Sequence, residues 1–279
     1  MSDYTIRPFK AEDRPQLAAL WKTAFGDSDA CIDAFFDLFL KNDGCLVAEA
    51  DDKVVSAMYI VRGMSMNPYR RRTLTAGYAY ALATLPEYRG RGIGTAVYRA
   101  VNEAILQDFD CALVLPAEES LYPFYEKAGA FPISYRREAR FTREELRTVP
   151  ACMCMRATYP MYSSMREGLL DDMPHVSFPE DVYDFMESQG CEFFFMGNAA
   201  ACTETIDGVC YVRELIDPAT DHRASLSAIA TWCPAKEYVV YSPAYFDGPG
   251  EVKPYMLSAM KQKPTYSLPP DMWCAFGLE

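Results

Sequence analysis

Residues 82–94 dominate the interpretation of this sequence, and they read Leu-Ala-Thr-Leu-Pro-Glu-Tyr-Arg-Gly-Arg-Gly-Ile-Gly. The apolar run over residues 74–85 predicts a β-strand before the turn, and the periodic apolar residues of 95–109 predict a helix after it. Glycines at such a junction let the backbone bend tightly and let a ligand approach its N–H groups. The first turn of a helix leaves N–H groups unpaired, and these suit phosphate oxygens. Together with the positive charges of Arg89 and Arg91, the stretch predicts a site for a pyrophosphate.

The spacing of the glycines argues against two other phosphate-binding motifs. Gly90, Gly92 and Gly94 form Gly-x-Gly-x-Gly, whereas a dinucleotide fold requires Gly-x-Gly-x-x-Gly and an acidic residue after the next strand. The next predicted strand, residues 111–115, is followed by Pro116-Ala117. The Gly-Lys-Ser/Thr sequence of a kinase-type phosphate loop is also missing.

Apolar periodicity on both sides of this stretch predicts an α/β (α+β) domain. The order of elements is β-α-α-β-β-β-α-β-α-β, which favours a mixed, mostly antiparallel sheet flanked by helices, with one strand–helix–strand crossover over residues 78–115. The predicted strands are 4–8, 45–50, 54–62, 74–85, 111–115 and 133–141, and the predicted helices are 11–25, 28–40, 95–109 and 121–128.

Pro150 marks a predicted boundary between a domain of residues 1–145 and a second domain of residues 150–279. The second domain roughly repeats the order of the first but lacks a glycine-rich turn. Its predicted helices are 155–169, 178–189 and 220–232, and its predicted strands are 191–196, 199–205, 209–216, 237–242, 255–260 and 273–277.

Composition narrows the class of protein. Half of the 279 residues are hydrophobic, yet no apolar run approaches the ~20 residues that span a bilayer, so no membrane partner is expected. The N-terminal residues carry no export signal, which favours a cytoplasmic location. The net charge of -12 argues against nucleic-acid binding, since phosphate contacts dominate that affinity. Residues 151–279 alone carry -10, which suits either a cationic substrate or simple solubility.

The cysteines and histidines predict no metal site. Ten cysteines are scattered along the chain and are expected to be reduced core residues. Cys152 and Cys154 are the only close pair, and no second pair or nearby histidine completes a zinc site.

Two segments resemble one known family. Residues 82–94 resemble the acetyl-CoA motif of the GCN5-related N-acetyltransferase (GNAT) superfamily, Arg/Gln-x-x-Gly-x-Gly/Ala after a strand and a proline. Residues 124–131, Phe-Tyr-Glu-Lys-Ala-Gly-Ala-Phe, resemble the second signature of the family, Phe-Tyr-Glu-x-x-Gly-Phe. The resemblance covers residues 4–141. It implies a GNAT fold, acetyl-CoA as cosubstrate, and transfer of the acetyl group to a primary amine of a small molecule or peptide.

The same resemblance implies roles for individual residues. The backbone of Leu82, Ala83 and Thr84 would pair with the pantetheine arm, and the N–H groups from Gly90 to Thr95 would hold the pyrophosphate. Tyr125 would act as the general acid near the sulfur atom. The cofactor-binding set implied in this way is Leu82, Ala83, Thr84, Arg89, Gly90, Arg91, Gly92, Ile93, Gly94 and Thr95.

The chain departs from the family pattern at two places. Ala130 stands before Phe131 where Gly-Phe is usual, which puts the turn after that helix in doubt. Pro116-Ala117 follows the strand where an asparagine often stands, which puts cofactor contacts there in doubt.

The general base and the acceptor pocket are open at this stage. Tyr78 and Tyr80 point to the same side of one strand, so they either line the substrate pocket or pack in an aromatic core. Glu49 and Glu118 are weaker candidates for the base.

The layout also resembles the enhanced-intracellular-survival type of bacterial acetyltransferase, which has a second, divergent GNAT-like half. In that group the C-terminal carboxylate serves as a base, a role that Glu279 would take in this chain. The alternatives to an acetyltransferase are an inactive acyl-CoA-binding sensor and an enzyme that transfers a longer acyl group. The sequence does not indicate the oligomeric state.

Overall fold

Two sheets flanked by helices organise the chain, which divides into two compact units. The computed structural model describes residues 4–41, 44–68, 73–261, 271–276 and 278. Unit 1 comprises the described parts of 1–65, 74–131 and 257–265, and unit 2 those of 66–73, 132–256 and 266–279.

Unit 1 has the predicted succession of elements. It contains β1 (Thr5–Pro8), α1 (Arg14–Phe25), α2 (Asp29–Phe39), β2 (Cys45–Ala50), most of β3 (Lys53–Asn67), β4 (Leu74–Thr84), α3 (Ile93–Asp108), β5 (Cys111–Val114) and α4 (Tyr122–Lys127). The two-residue strand β6 (Phe131–Pro132) lies at the boundary of the units.

Unit 2 contains the remaining elements up to the last strand. These are β7 (Tyr135–Thr142), α5 (Arg143–Arg147), β8 (Met155–Ala157), α6 (Tyr159–Leu170), β9 (His175–Ser177), α7 (Glu180–Ser188), β10 (Glu192–Met196), β11 (Ala199–Ile206), β12 (Val209–Ile216), α8 (Arg223–Trp232), β13 (Glu237–Pro243) and β14 (Glu251–Pro254). The strand β15 (Leu257–Met260) returns to unit 1.

Local sequence signals explain several element boundaries in unit 1. The side chain of Ser28 accepts a hydrogen bond from the backbone N–H of Cys31, which caps α2. Gly26 ends α1 in the left-handed region, at φ 80°. Asp51 and Asp52 both have positive φ, as a tight hairpin turn between β2 and β3 requires.

The sheet of unit 1 runs in the order β1-β2-β3-β4-β5-β15. β4 and β5 are parallel and are joined through α3, whereas β15 pairs with β5 in the antiparallel sense. The apolar face of α3 packs on the sheet together with α4, around the buried residues Ile93, Val97, Tyr98, Val101, Ile105 and Tyr125. The parallel pair and its helix therefore fix the place at which the glycine-rich turn emerges.

Unit 2 repeats this order of elements. Its sheet runs β14-β7-β13-β12-β11-β10-β8. β8 pairs antiparallel with β10, with α6 and α7 between them in sequence, as α1 and α2 lie between β1 and β2. β12 and β13 are parallel and joined by α8, and β7 pairs antiparallel with β13 as β15 does with β5. The mixed α/β architecture predicted from the sequence is confirmed.

The contiguous domains 1–145 and 150–279 differ from the compact units in two strands. β7, predicted as the last strand of the first domain, pairs with β13 over seven residue pairs in the sheet of unit 2. The edge of β5 is covered instead by β15, from near the C-terminal end of the sequence. An open edge can pair with any strand of suitable register, so chain order alone does not determine whether β7 or β15 pairs with β5. The functional division into a catalytic and a divergent domain stays a prediction.

Several local predictions for unit 2 need correction. The helix predicted from residue 155 begins at Tyr159, with Pro160 in its first turn, where its missing N–H costs no hydrogen bond, and residues 155–157 form β8 instead. In the segment predicted as a strand over 273–277, only Trp273 forms a bridge, and Gly277 lies outside the described residues. The sequence analysis missed α5, β9 and β14. Of these, α5 has a sequence signal, the capping box of Thr142 and Glu145.

Two further observations concern the expected cysteine chemistry and membrane contact. All ten cysteines are free thiols, and six of them are buried. Among the described residues, no helix has the length and apolar character needed to cross a membrane.

Candidate functional site

The strand β4 extends beyond its partner β5. Their parallel pairing runs from Ala76 to Ala79 on β4 and stops where Ala79 meets Val114, the last residue of β5. For residues 81–84 of β4 the structure describes no pairing with β5, so their backbone groups lie along an open edge. A ligand that carries amides, such as pantetheine, can pair with such an edge.

Ala81 marks the start of this open segment with a strained backbone. Its φ is +52°, a left-handed conformation that costs an L-residue roughly 1–2 kcal/mol. Strain of this kind is often found at ligand sites, where the surrounding structure holds it in place. The strand is therefore distorted at the point where its open edge begins.

The turn after β4 aims backbone N–H groups at the same region. Gly90 and Gly92 have φ values of 74° and 78°, and Gly92 is the N-cap residue of α3. The hydrogen bonds of the helix start with the N–H of Ala96 donating to the carbonyl of Gly92, at 3.1 Å. The N–H groups of residues 93–95 precede this bond, and with the positive end of the helix dipole they suit a pyrophosphate.

The two arginines of the turn also brace it. Nε of Arg89 donates to the carbonyl of Thr84 at 3.0 Å, which closes the turn on the end of β4. Arg91 donates to the carbonyl of Glu87 at 2.9 Å, and its guanidinium lies 5.0 Å from the centre of the Tyr88 ring. Positive charge is thus held beside the predicted pyrophosphate site.

Tyr125 lies on α4 in the core shared with α3. Its side chain is 6% exposed, and its ring packs edge-to-face on Tyr98 and Phe124, with both centroid distances 4.9 Å. Burial, with a smaller contribution from Tyr98, raises the pKa of the Tyr125 phenol well above its usual value. This phenol therefore keeps its proton throughout the neutral range.

The structure places the two tyrosines of β4 against an aromatic cluster. Tyr78 is buried, and its ring lies 5.5 Å from that of Tyr80. The Tyr80 ring in turn lies 5.8 Å from Trp21 and 5.1 Å from Phe35, which belong to α1 and α2. This favours the aromatic-core alternative for Tyr78, whereas Tyr80, which is half-buried, can still face a substrate.

The carboxylates considered as bases have different surroundings. Glu49 accepts a 2.6 Å hydrogen bond from Arg7, which also pairs with Asp13. Glu118 is exposed and accepts from Ser120 at 2.9 Å. Glu279 lies outside the described residues. The ion pair makes Glu49 a poor base, because the guanidinium of Arg7 already occupies its carboxylate oxygen.

The sequence analysis missed one side chain that touches the motif. Ser56 of β3 is fully buried and donates a 2.7 Å hydrogen bond to the carbonyl of Ala83. Its oxygen also lies 2.8 Å from Oγ1 of Thr84. A lone serine in an apolar strand carries no sequence signal for this contact, since pairing of β3 with β4 is decided by the fold.

Comparison with known families supports the interpretation of this site. The acetyltransferase (GNAT) domain family matches residues 5–133. Residues 5–133 form a GNAT acetyltransferase domain. Members of this family use acetyl-CoA as cosubstrate. No curated protein shows significant sequence similarity to the chain.

Solved structures extend the likeness in fold beyond the GNAT domain. A GCN5-related N-acetyltransferase from Kribbella flavida is 16% identical, with a TM-score of 0.71 over 93% of this chain and 72% of that one. A GCN5-related N-acetyltransferase from Anabaena variabilis is 12% identical, with a TM-score of 0.71 over 93% and 73%. Eis1 from Mycobacterium abscessus is 11% identical, with a TM-score of 0.65 over 92% and 73%. At these identities the comparison shows the fold alone.

The residues of the GNAT domain fit a CoA molecule. A Cβ added to Gly90 or Gly92 would meet no atom within 4 Å, so the space above the turn is open to a ligand. The open edge of β4 leads from this turn towards Ala79, which packs in the same buried cluster as Tyr125. The glycine-rich turn, the open edge of β4 and Tyr125 thus all belong to the same compact unit.

The corresponding junction of unit 2 has a different chemistry. Asp217 and Asp221 lie between β12 and α8, and Oδ1 of Asp221 accepts from the N–H of Arg223 at 3.1 Å. A carboxylate at the start of a helix occupies its N–H groups and repels phosphate. An open pocket of about 710 Å³ nearby is lined by Phe141, Glu144, Glu145, Thr148, Thr220, Asp221, Arg223 and Pro249, and none of these belongs to the acetyl-CoA motif. Unit 2 is thus a poor second CoA site.

Replacing Gly92 by valine is expected to weaken CoA binding by at least tenfold. A β-branched residue resists the left-handed backbone of the N-cap and moves the N–H groups that follow it. Isothermal titration with CoA measures the effect. Gly26→Val is the matched control, because Gly26 also has positive φ with open space around it but lies at the end of α1. Equal loss of affinity in both variants would show that backbone strain alone explains the result.

Proposed function

We propose that the chain is an acetyl-CoA-dependent N-acetyltransferase that transfers the acetyl group directly to a primary amine, with Tyr125 as general acid. One observation supports this above all others. The open edge of β4, the helix N-terminus at Ile93 and the protonated phenol of Tyr125 belong to one packed unit. The open edge of β4 binds pantetheine, and the helix N-terminus binds the pyrophosphate. Tyr125 protonates the sulfur atom of the leaving thiolate.

The proposed chemistry is nucleophilic attack by the amine on the thioester carbonyl. An amine with a pKa near 10 must first lose a proton to a base or to a water held by one. A backbone N–H at the start of the open edge stabilises the oxyanion as the tetrahedral intermediate forms. When this intermediate collapses, the C–S bond breaks and Tyr125 gives its proton to the leaving thiolate.

Release of free thiol tests this proposal. The chain is incubated with acetyl-CoA and a panel of polyamines, aminoglycosides and amino acids, and CoA thiol is detected colorimetrically. Acceptor-dependent thiol release is the expected result. Tight binding of CoA with no thiol release across the panel would instead indicate an acyl-CoA-binding sensor.

We further propose that the acceptor is cationic. Residues 151–279 carry a net charge of -10, and the pocket of unit 2 is lined by three carboxylates and one guanidinium. Negative potential of this kind raises the local concentration of cations and their association rate. This supports a polyamine or a similar basic compound as acceptor.

The cationic preference predicts a dependence on ionic strength. We expect the kcat/KM of a polyamine to fall several-fold between roughly 20 and 200 mM salt, because screening shortens the distance over which the acidic surface attracts cations. A neutral acceptor with one primary amine serves as control and should change little. An equal response of both acceptors to salt would remove the electrostatic argument.

A further inference from the structure

We propose that the hydroxyl groups of Ser56 and Thr84 form a lock that positions the pyrophosphate turn against the open edge of β4 and thereby sets the affinity for CoA. The proposal rests on the assignment of this turn to acetyl-CoA. It gives Ser56 and Thr84 the role of positioning residues, which act through the backbone that they hold.

The directions of the hydrogen bonds follow from the number of protons available. Ser56 has one hydroxyl proton, and the carbonyl of Ala83 at 2.7 Å can only accept it. Thr84 must therefore donate the proton of the 2.8 Å contact between the two hydroxyl oxygens. The result is a series of hydrogen bonds in which Thr84 donates to Ser56 and Ser56 donates to the backbone of β4.

Thr84 connects these hydrogen bonds to the turn and to α3. Its carbonyl accepts from Nε of Arg89 at 3.0 Å. Its Oγ1 would lie 3.2 Å from a Cβ placed on Gly94, so the first turn of α3 rests directly on the threonine hydroxyl. The next N–H, that of Leu85, donates to the carbonyl of Val55 at 2.9 Å. Thr84 thus contacts β3 and the helix N-terminus through its side chain, and the turn through its backbone carbonyl.

The lock also decides which backbone groups face the ligand. In an extended strand, the N–H and C=O of neighbouring residues point to opposite edges. The carbonyl of Ala83 and the N–H of Leu85 both point to β3. The backbone groups of Leu82 and Thr84 therefore point to the open edge, and the Thr84 carbonyl is already used by Arg89. Leu82 is left as the main pairing partner for a pantetheine amide.

The fully buried position of Ser56 makes the lock sensitive to the loss of either hydroxyl. Without the hydroxyl of Ser56, the Ala83 carbonyl loses its side-chain donor and the Thr84 hydroxyl loses its acceptor. The turn can then shift by the few tenths of an ångström that separate a good phosphate contact from a poor one. We expect the dissociation constant for CoA to rise about tenfold in Ser56→Ala and in Thr84→Val.

Isothermal titration with CoA, on the full chain, tests the lock without requiring turnover. Thr84→Ser keeps the hydroxyl and should bind CoA within about twofold of the parent chain. Ser258→Ala is the matched control, since Ser258 is also fully buried and donates to a backbone carbonyl at 3.1 Å, but it lies on β15. It should lose thermal stability without losing affinity. The variant with both Ser56→Ala and Thr84→Val should bind no more weakly than the worse single variant, because the two hydroxyls act together.

The possible outcomes separate the lock from the proposed function. If Ser56→Ala and Thr84→Val fold, as judged by circular dichroism, and bind CoA as tightly as the parent, the lock is wrong while the proposed function stands. Loss of affinity in Ser258→Ala equal to theirs would also overturn the lock, since general destabilisation would then explain it. A parent chain that binds no CoA overturns both. A parent that binds CoA but releases no thiol contradicts only the proposed function.

Discussion

Tyr125→Phe is expected to lower kcat by at least about 100-fold while changing the affinity for CoA little. General acid catalysis typically contributes factors of 10²–10⁴, and the phenylalanine removes only the proton donor. The ring still packs against Tyr98 and Phe124, so the fold of α4 should be preserved. Steady-state rates of thiol release and titration with CoA measure the two quantities.

A matched control for this variant is Tyr98→Phe. Tyr98 contacts Tyr125 edge-to-face and is buried in the same cluster, but its position on α3 gives it no role in the proposed proton transfer. We expect its kcat to stay within a few-fold of the parent value. If Tyr125→Phe lost CoA affinity and rate to the same extent, Tyr125 would be a structural residue and the general acid would have to be sought elsewhere.

The raised pKa of Tyr125 has a consequence for the pH profile. An acid must be protonated to act, and burial moves the loss of its proton to higher pH. Activity should therefore rise with pH as the amine substrate deprotonates and should show no fall from this tyrosine up to pH 10. A fall in kcat between pH 8 and pH 9 in the parent chain, absent from the Phe variant, would show that Tyr125 loses its proton in that range and would contradict its raised pKa.

Glu214→Leu is expected to cause the largest loss of stability. In unit 2 both side-chain oxygens of Glu214 lie 3.0 Å from Nε of Arg166, and both residues are fully buried. Glu214 also accepts from Tyr162 and from the indole of Trp273. Removing one partner of a buried ion pair costs about 3–5 kcal/mol, because the other charge stays desolvated. Urea unfolding followed by circular dichroism measures the change.

The variant with both Arg166→Met and Glu214→Leu separates the stranded charge from the other lost contacts. Tyr162 and Trp273 lose their acceptor in both variants, but only the single variant keeps the buried guanidinium of Arg166, whose remaining carboxylate partner is Glu167 at 2.9 Å. The double variant should therefore be clearly more stable than the single one. Glu237→Ala, which breaks an exposed pair with Arg140, should have a much smaller effect. A double variant less stable than Glu214→Leu would mean that Arg166 contributes mainly by packing between its aromatic neighbours.

The sequence by itself determined the parts of the candidate site that depend on local chain geometry. The turn of Gly90 and Gly92 could be located because positive φ and an uncapped helix start are properties of a few adjacent residues. Tyr125 followed from a second short segment at the spacing of a known family. Helices α1 to α3 were found because each has an apolar face of helical period, and Ser28 signals the start of α2.

Long-range pairing was decided only by the tertiary structure. The register of β3 against β4 brings Ser56 to Thr84, 28 residues further along the chain, and no local pattern encodes it. The same holds for β15 at the edge of β5, and for Arg166 and Glu214, which are 48 residues apart. Backbone edges and buried charges accept any partner of suitable geometry, so their partners are selected by the packing of the whole chain. The turn that identifies the cosubstrate is thus local in sequence, whereas the contacts that hold it in place are not.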